Sequence, residues 1–363
     1  MNWLDELNNN ITSAGELKQI LHLNEEETNR MQKILDRFPL SLGRYYLSII
    51  NMEDDDDPIK KMCIPSVKET DVSGSFDTSG EAINTVITGL QHKYSQTALI
   101  LSTSLCAMYC RHCFRKRLVG TSDEEIAVHF DEIMDYINKH KEISNVLISG
   151  GDSFLNKNEV IEKYLSRLSQ MEHLDFIRFG TRIPVVLPSR IYGDEELLDI
   201  LEKYNSKKTI YVVTQFNHPN EITADAIKAV NCLERIGITV KNQAVLLKGV
   251  NDNAQTMTTL LRKLTAVGID PYYVFQCRPV TGVKNQFQVP FLQGYKIIEE
   301  AKSMVNGIGK SFRYCMSHES GKMEILGTIS PNKMIFKYQE AKNPEDYGKL
   351  FEYQVSNSQC WLD

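Results

Sequence analysis

The strongest chemical signal in this chain is three cysteines within eight residues, Cys106-Ala-Met-Tyr-Cys110-Arg-His-Cys113. The C-x3-C-x2-C spacing puts three thiolates on one short loop. Soft thiolates suit iron–sulfur chemistry, and three of them hold three irons of a [4Fe–4S] cube. The fourth iron then lacks a protein ligand and is open to another molecule. A ferredoxin that only carries electrons uses four cysteines, and a structural zinc site also uses four ligands. His112 supplies a fourth only awkwardly, because it sits between Cys110 and Cys113. An iron–sulfur carrier and a structural zinc protein both stay open as readings at this point. Cys63, Cys232, Cys277, Cys315 and Cys360 are scattered and read as unpaired thiols of a reducing compartment.

A reactive loop needs a scaffold, and from about residue 97 the sequence supplies one. Apolar, β-rich runs occur at residues 97–102, 145–149, 176–180, 209–215, 243–247, 272–276 and 312–316. Helical patterns fill the gaps at 123–140, 158–171, 194–204, 223–237, 253–268 and 293–307. Such alternation predicts an α/β fold with a parallel sheet and helices outside it. The number of units predicts a partial (β/α)6-type barrel. Residues 1–90 read as a mostly helical N-terminal region, 91–308 as the barrel and 309–363 as a closing segment. In that last part KMEILG (322–327) and KMIFKYQ (333–339) flank ISPN and predict a hairpin. Chemistry in such barrels sits at the C-terminal ends of the strands. The cysteine loop follows the first barrel strand. Ser149-Gly150-Gly151-Asp152 follows the second, where glycines allow close backbone approach and the polar ends can bond an ammonium group.

Composition narrows the function classes. The chain has 363 residues with 47 acidic and 41 basic, a net charge of −6, which argues against a global grip on nucleic acid. No apolar run reaches the ~18 residues of a membrane span, and the start has no basic end followed by an apolar core. A cytoplasmic protein that binds neither membrane nor nucleic acid is expected. Arg111, Arg115, Lys116 and Arg117 read on their own as one solvated basic patch, and Asp54–Asp57 as a solvated turn.

The cysteine spacing, with Tyr109 before the second cysteine and a strand just ahead, resembles the signature of the radical S-adenosylmethionine (SAM) superfamily. SGGD resembles the Gly–Gly motif of that superfamily. Longer stretches resemble the lysine 2,3-aminomutase family over roughly residues 39–340: CAMYCRHCFRKRLVG (106–120), VLISGGDSFL (146–155), RIPVVLPSR (182–190), FNHPNEIT (216–223) and NQAVLLKGVND (242–252). The resemblance implies a [4Fe–4S] cluster on Cys106, Cys110 and Cys113. It further implies SAM cleaved to a 5′-deoxyadenosyl radical, and pyridoxal 5′-phosphate (PLP), on which an amino group moves to the neighbouring carbon. It implies a reductase such as flavodoxin or ferredoxin, and it leaves a homo-oligomer possible as an expectation.

Residue by residue, the resemblance makes Lys322 the Schiff-base lysine, Arg115 the holder of the substrate α-carboxylate and Tyr94 a neighbour of PLP. Ser149, Gly150, Gly151 and Asp152, with Gln215 and Gln243, are expected around SAM, and Arg182 is a similar case. The chain also departs from the family. Lys93 stands in place of an arginine near PLP and Thr97 in place of another basic residue. His318-Glu319-Ser320 stand where a glycine run is expected ahead of Lys322. Lysine-specific members place two acids around the distal ammonium of the substrate, where this chain has Arg278 and Cys315. An arginine in place of an aspartate reverses the charge offered to the substrate. The expected substrate is therefore an amino acid other than free lysine, glutamate-like in preference. A radical SAM enzyme that works without PLP on another substrate is the alternative that keeps the same radical chemistry.

Overall fold

The computed structural model describes residues 2–362. One sheet runs in chain order through β1 (Thr85–Ile87), β2 (Leu90–Tyr94), β3 (Thr97–Leu101), β4 (Asn145–Ser149), β5 (Phe176–Gly180), β6 (Thr209–Thr214), β7 (Thr239–Leu246), β8 (Asp270–Gln276), β9 (Arg313–His318), β10 (Gly321–Ser330), β11 (Lys333–Ala341) and β12 (Leu350–Gln354). Strands β3 to β9 pair in parallel. Antiparallel strands extend the sheet at both edges. Parallel neighbours need a crossover, and a helix supplies each one: Phe130–Lys139, Asn158–Leu168, Glu195–Asn205, Ala224–Arg235, Ala254–Ala266 and Phe291–Ser303. Edge strands β1 and β12 do not pair with one another. The result is a mixed α/β fold whose curved sheet stays open as a partial barrel.

Strand chemistry explains the two faces. Val146, Ile148, Ile177, Phe179, Ile210, Val212, Val240 and Leu246 are fully buried against the helices. The alternate residues Leu147, Ser149, Arg178, Tyr211 and Gln243 are only half-buried and share the inner face. Caps fix the helix starts that follow the strands: Asp194, Thr223 and Asn253 each accept a hydrogen bond from a first-turn N–H. Among the described residues no helix is long and apolar enough to cross a membrane.

Three elements differ from the sequence pattern. The first crossover helix starts at Phe130, not at residue 123. The preceding stretch is held in an irregular path: Ala127 N–H donates to Leu101 O at 2.8 Å, Glu125 pairs with Arg117, and Asp123 accepts from Ser104. Strands β1 and β2 add to the sheet from a polar stretch without apolar alternation. The expected hairpin forms as β10 and β11, turning at Pro331-Asn332 with Asn332 at φ +66°.

The N-terminal region is built from short capped helices that back the cysteine loop. Tyr109 N–H donates to Ser41 O and Arg111 N–H to Met62 O, both at 2.9 Å. The acidic run is a charged turn: Asp57 caps the helix Pro58–Cys63, and Asp55 and Asp56 pair with Lys60 and Lys61.

Candidate active site

The cysteine loop leaves β3 and lies at the C-terminal end of the parallel strands. Cys106, Cys110 and Cys113 are half-buried free thiols. Burial, then the nearby Asp152, Cys113 and Cys110, pushes the Cys106 thiol well up. Burial and Cys110 push Cys113 up to about 11. The three sulfurs thus lie within electrostatic reach of one another. Among the described residues, the set of metal-binding side-chain atoms gathered within 4.8 Å is His92, His140 and Glu142. His112 is buried, edge-on to Phe287, with Nε2 3.2 Å from Asn217 Nδ2.

Ser149-Gly150-Gly151-Asp152 turns directly against this loop. A Cβ on Gly150 would lie 2.3 Å from Thr103 O, and one on Gly151 2.2 Å from Leu105 O. Gly151 N–H donates to Thr103 O at 2.5 Å and Asp152 N–H to Leu105 O at 2.7 Å. The close approach the glycines allow is therefore to the cysteine loop itself. Asp152 is buried and accepts from Phe154 N–H at 3.1 Å, Thr181 Oγ1 at 2.5 Å and Arg182 N–H at 2.7 Å. Three protein donors thus fix the Asp152 carboxylate beside the cysteine loop. Gln215 and Gln243 are half-buried; the former accepts from Arg182 Nε through its backbone carbonyl at 3.0 Å.

The basic run after the cysteines is not a solvated patch. Arg111, Arg115 and Lys116 are buried. Glu69 holds Arg111 and Lys116, and Glu81 holds Arg115 and Arg117. Burial raises Glu81, but the charges of Arg115 and Arg117 outweigh it and hold the carboxyl down at about 2. Arg115 turns Nη1 toward Ser149 Oγ and Gly150 O, both at 3.3 Å, so that nitrogen is its less firmly held edge. Both acids come from the N-terminal region, and the sequence reading did not single them out.

Lys322 opens β10 on the inner face, half-buried. Its Nζ donates to Glu340 Oε2 at 2.7 Å and lies 4.9 Å from the Tyr273 ring and 5.8 Å from the Tyr94 ring. Gly321 makes this possible: a Cβ there would sit 2.4 Å from Glu340 O. The Tyr94 hydroxyl is buried without a hydrogen-bond partner, and burial pushes it up to about 12 against the pull of Lys322. Lys93 Nζ donates to His318 O at 2.6 Å and Ser79 O at 3.1 Å. Burial, then Arg278 and Lys342, pulls Lys93 down to about 8. The segment expected as a glycine-rich loop is a tight turn with Glu319 exposed; Ser320 Oγ bonds His318 Nδ1 and Tyr338 OH.

Arg278 follows β8. Its guanidinium stacks 4.2 Å from the centroid of Phe114, the ring that Arg115 also covers at 4.7 Å. Its hydrogen-bond partner is the neutral Ser79 Oγ at 2.8 Å. Cys315 is buried, with Sγ 3.6 Å from Gln339 Oε1. Arg115, Arg278, Lys93, Tyr94 and Lys322 thus line one region between the cysteine loop and β10. Glu340, Tyr273 and Gln339 were not singled out from sequence, because the hairpin was legible as a closing element but its register, which sets Glu340 opposite Lys322, was not.

The Radical SAM superfamily profile matches residues 100–261. A relative from Aquifex aeolicus (strain VF5) is 39% identical over 350 residues, covering 96% of this chain and 93% of its own. L-lysine 2,3-aminomutase of Clostridium subterminale is 36% identical over 308 residues, or 84% and 73% of the two chains. Glutamate 2,3-aminomutase of Clostridioides difficile (strain 630) is 35% identical over 309 residues, or 85% and 72%.

Proposed function

Because the chain belongs to the lysine 2,3-aminomutase family of the radical SAM superfamily, we propose that it moves the amino group of an acidic, glutamate-like amino acid between neighbouring carbons with the help of PLP. Membership implies a [4Fe–4S] cluster and SAM. When bound, the cluster and SAM supply a carbon radical, and PLP supplies a conjugated ring that stabilises an unpaired electron next to nitrogen.

The residues of the chain divide the remaining work. Cys106, Cys110 and Cys113 would hold the cluster. Ser149, Gln215 and Gln243 offer polar contacts to SAM from the inner face. Arg115 Nη1 binds the α-carboxylate of the substrate. Arg278 binds its distal carboxylate, and the shared stacking on Phe114 fixes the distance between these two anchors. Lys93 and the Tyr94 hydroxyl bind the phosphate and orient the ring. Lys322 would hold PLP through its Nζ, which Glu340 orients by accepting its hydrogen bond. A reductase of the flavodoxin or ferredoxin kind supplies the electron.

One observation carries the substrate class: the half-buried guanidinium of Arg278, whose hydrogen-bond partner is a neutral hydroxyl. A half-buried cation bonded to a neutral hydroxyl is matched by a substrate carboxylate, whereas the distal ammonium of lysine would be repelled. The experiment is borohydride trapping of anaerobically purified, cluster-reconstituted protein with PLP, followed by peptide mapping. A reduced pyridoxyl adduct on Lys322, absent in Lys322→Ala, supports the reading. No adduct on intact, cluster-loaded protein refutes it. That result would favour a PLP-independent radical enzyme, a second reading supported by the tight His318–Gly321 turn, whose Ser320 groups are already bonded within the protein.

A further inference from the structure

Arg182 follows β5 and is anchored on every side. Its backbone N–H is held by Asp152, Nε donates to Gln215 O at 3.0 Å, and Nη2 donates to Glu221 and, at 3.3 Å, to Tyr46 OH. Nη1 donates to Cys110 Sγ at 2.7 Å. Glu221 and Tyr46 are both fully buried. The other Glu221 oxygen accepts from Asn217 N–H at 2.6 Å and His218 N–H at 2.9 Å, and Tyr46 OH donates to Glu221 Oε1 at 2.6 Å. Every guanidinium nitrogen therefore has a partner already, and the group is fixed in place beside one cluster sulfur.

We infer that Arg182, oriented by Glu221 and Tyr46, is a positioning residue that sets the reduction potential of the iron–sulfur centre through its hydrogen bond to Cys110. The sequence reading grouped Arg182 with contacts to SAM. The geometry favours the sulfur, because the nitrogens engaged elsewhere leave the guanidinium no freedom to turn. Adding an electron to a thiolate-bound cluster adds negative charge to its sulfurs. A charge-assisted N–H donor at a ligand sulfur stabilises that reduced form and raises the potential. Buried Glu221 opposes this in part, as the carboxylate paired with the Arg182 guanidinium. The potential thus reflects a cation touching the ligand sulfur and an anion one bond further away. The inference rests on the cluster implied by the family and is independent of PLP and of the substrate.

The test uses the full chain, purified anaerobically and reconstituted with iron and sulfide, as wild type, Arg182→Gln, Arg182→Lys and Glu221→Gln. Iron and sulfide contents are counted, and the EPR signal of the one-electron-reduced cluster is followed against applied potential. Arg182→Gln is expected to load a full cluster whose midpoint moves negative, with Arg182→Lys between it and wild type. Glu221→Gln, which removes the opposing charge, moves the midpoint positive. Reductive SAM cleavage by Arg182→Gln slows with a weak reductant and recovers with excess dithionite. Wild-type midpoints in both Arg182 variants overturn the inference. So does loss of the cluster in Arg182→Gln with an unshifted midpoint in Arg182→Lys, and so does failure of both to load, since the residue would then be a scaffold only.

Discussion

Arg278→Met removes the charge at the distal anchor while keeping an apolar chain to lie on Phe114. The lost interaction is one charge-assisted hydrogen bond to substrate, typically about 1.5–3 kcal/mol. At about 1.4 kcal/mol per factor of ten, kcat/KM for an acidic amino acid should fall roughly 10- to 150-fold. The change should not cost stability. Burial pulls Arg278 down from the ordinary arginine range against the raising pull of Glu81, and its side-chain hydrogen bond goes to the neutral Ser79, so replacing it breaks no direct ion pair. The assay follows the β-isomers of glutamate, alanine and lysine by chiral chromatography and mass spectrometry under anaerobic, reducing conditions. Conversion of alanine, which has no distal charge, should change little. The reasoning fails if Arg278→Met handles glutamate as well as wild type does, or if the wild-type enzyme converts lysine faster than glutamate.

Replacing Cys106, Cys110 or Cys113 by Ala should each abolish the cluster and reductive SAM cleavage; cleavage retained in all three variants would end the assignment. Glu81→Gln strands two guanidinium groups, Arg115 and Arg117, and should cost about 3 kcal/mol or more in urea unfolding at neutral pH. The Glu81 carboxyl is held at about 2 in the fold against 4.5 ordinarily. Its contribution is therefore complete above pH 4.5 and is lost as pH falls toward 2. A Glu81→Gln variant with the same acid sensitivity as wild type would contradict this. Lys93 carries its charge below about pH 8, so retention of PLP, measured by equilibrium dialysis, should weaken as pH rises through that value. Lys93→Met should flatten the profile, and an unchanged profile would remove Lys93 from the phosphate site.

The barrel was legible because its pattern is local. Apolar runs set the strands from β3 to β9, and Asp194, Thr223 and Asn253 announced helix starts. The cysteine loop could be read for the same reason, since three ligands lie in one stretch. What the sequence hid is contact over long separations. Glu69 and Glu81 sit in single-turn helices too short to show periodicity, yet each neutralises cations 34 to 47 positions away. Glu221 looks like a capping acid because it does cap, through the N–H groups of Asn217 and His218. Its second oxygen, on Arg182, follows only from the folded chain. Glu340 reaches Lys322 because β11 pairs with β10, a register fixed by close approach at Gly321.

The buried acids of the N-terminal region make the superfamily segment a poor unit of inheritance. Residues 100–261 carry the cysteines, but the cations beside those cysteines are balanced by Glu69 and Glu81, and Arg182 touches Tyr46. A barrel transplanted without residues 40–90 would take along Arg111, Arg115 and Lys116 with no counter-ions. Recombination or domain shuffling is therefore tolerated only where the first ninety residues travel with the barrel, and lineages of the two parts should share one history.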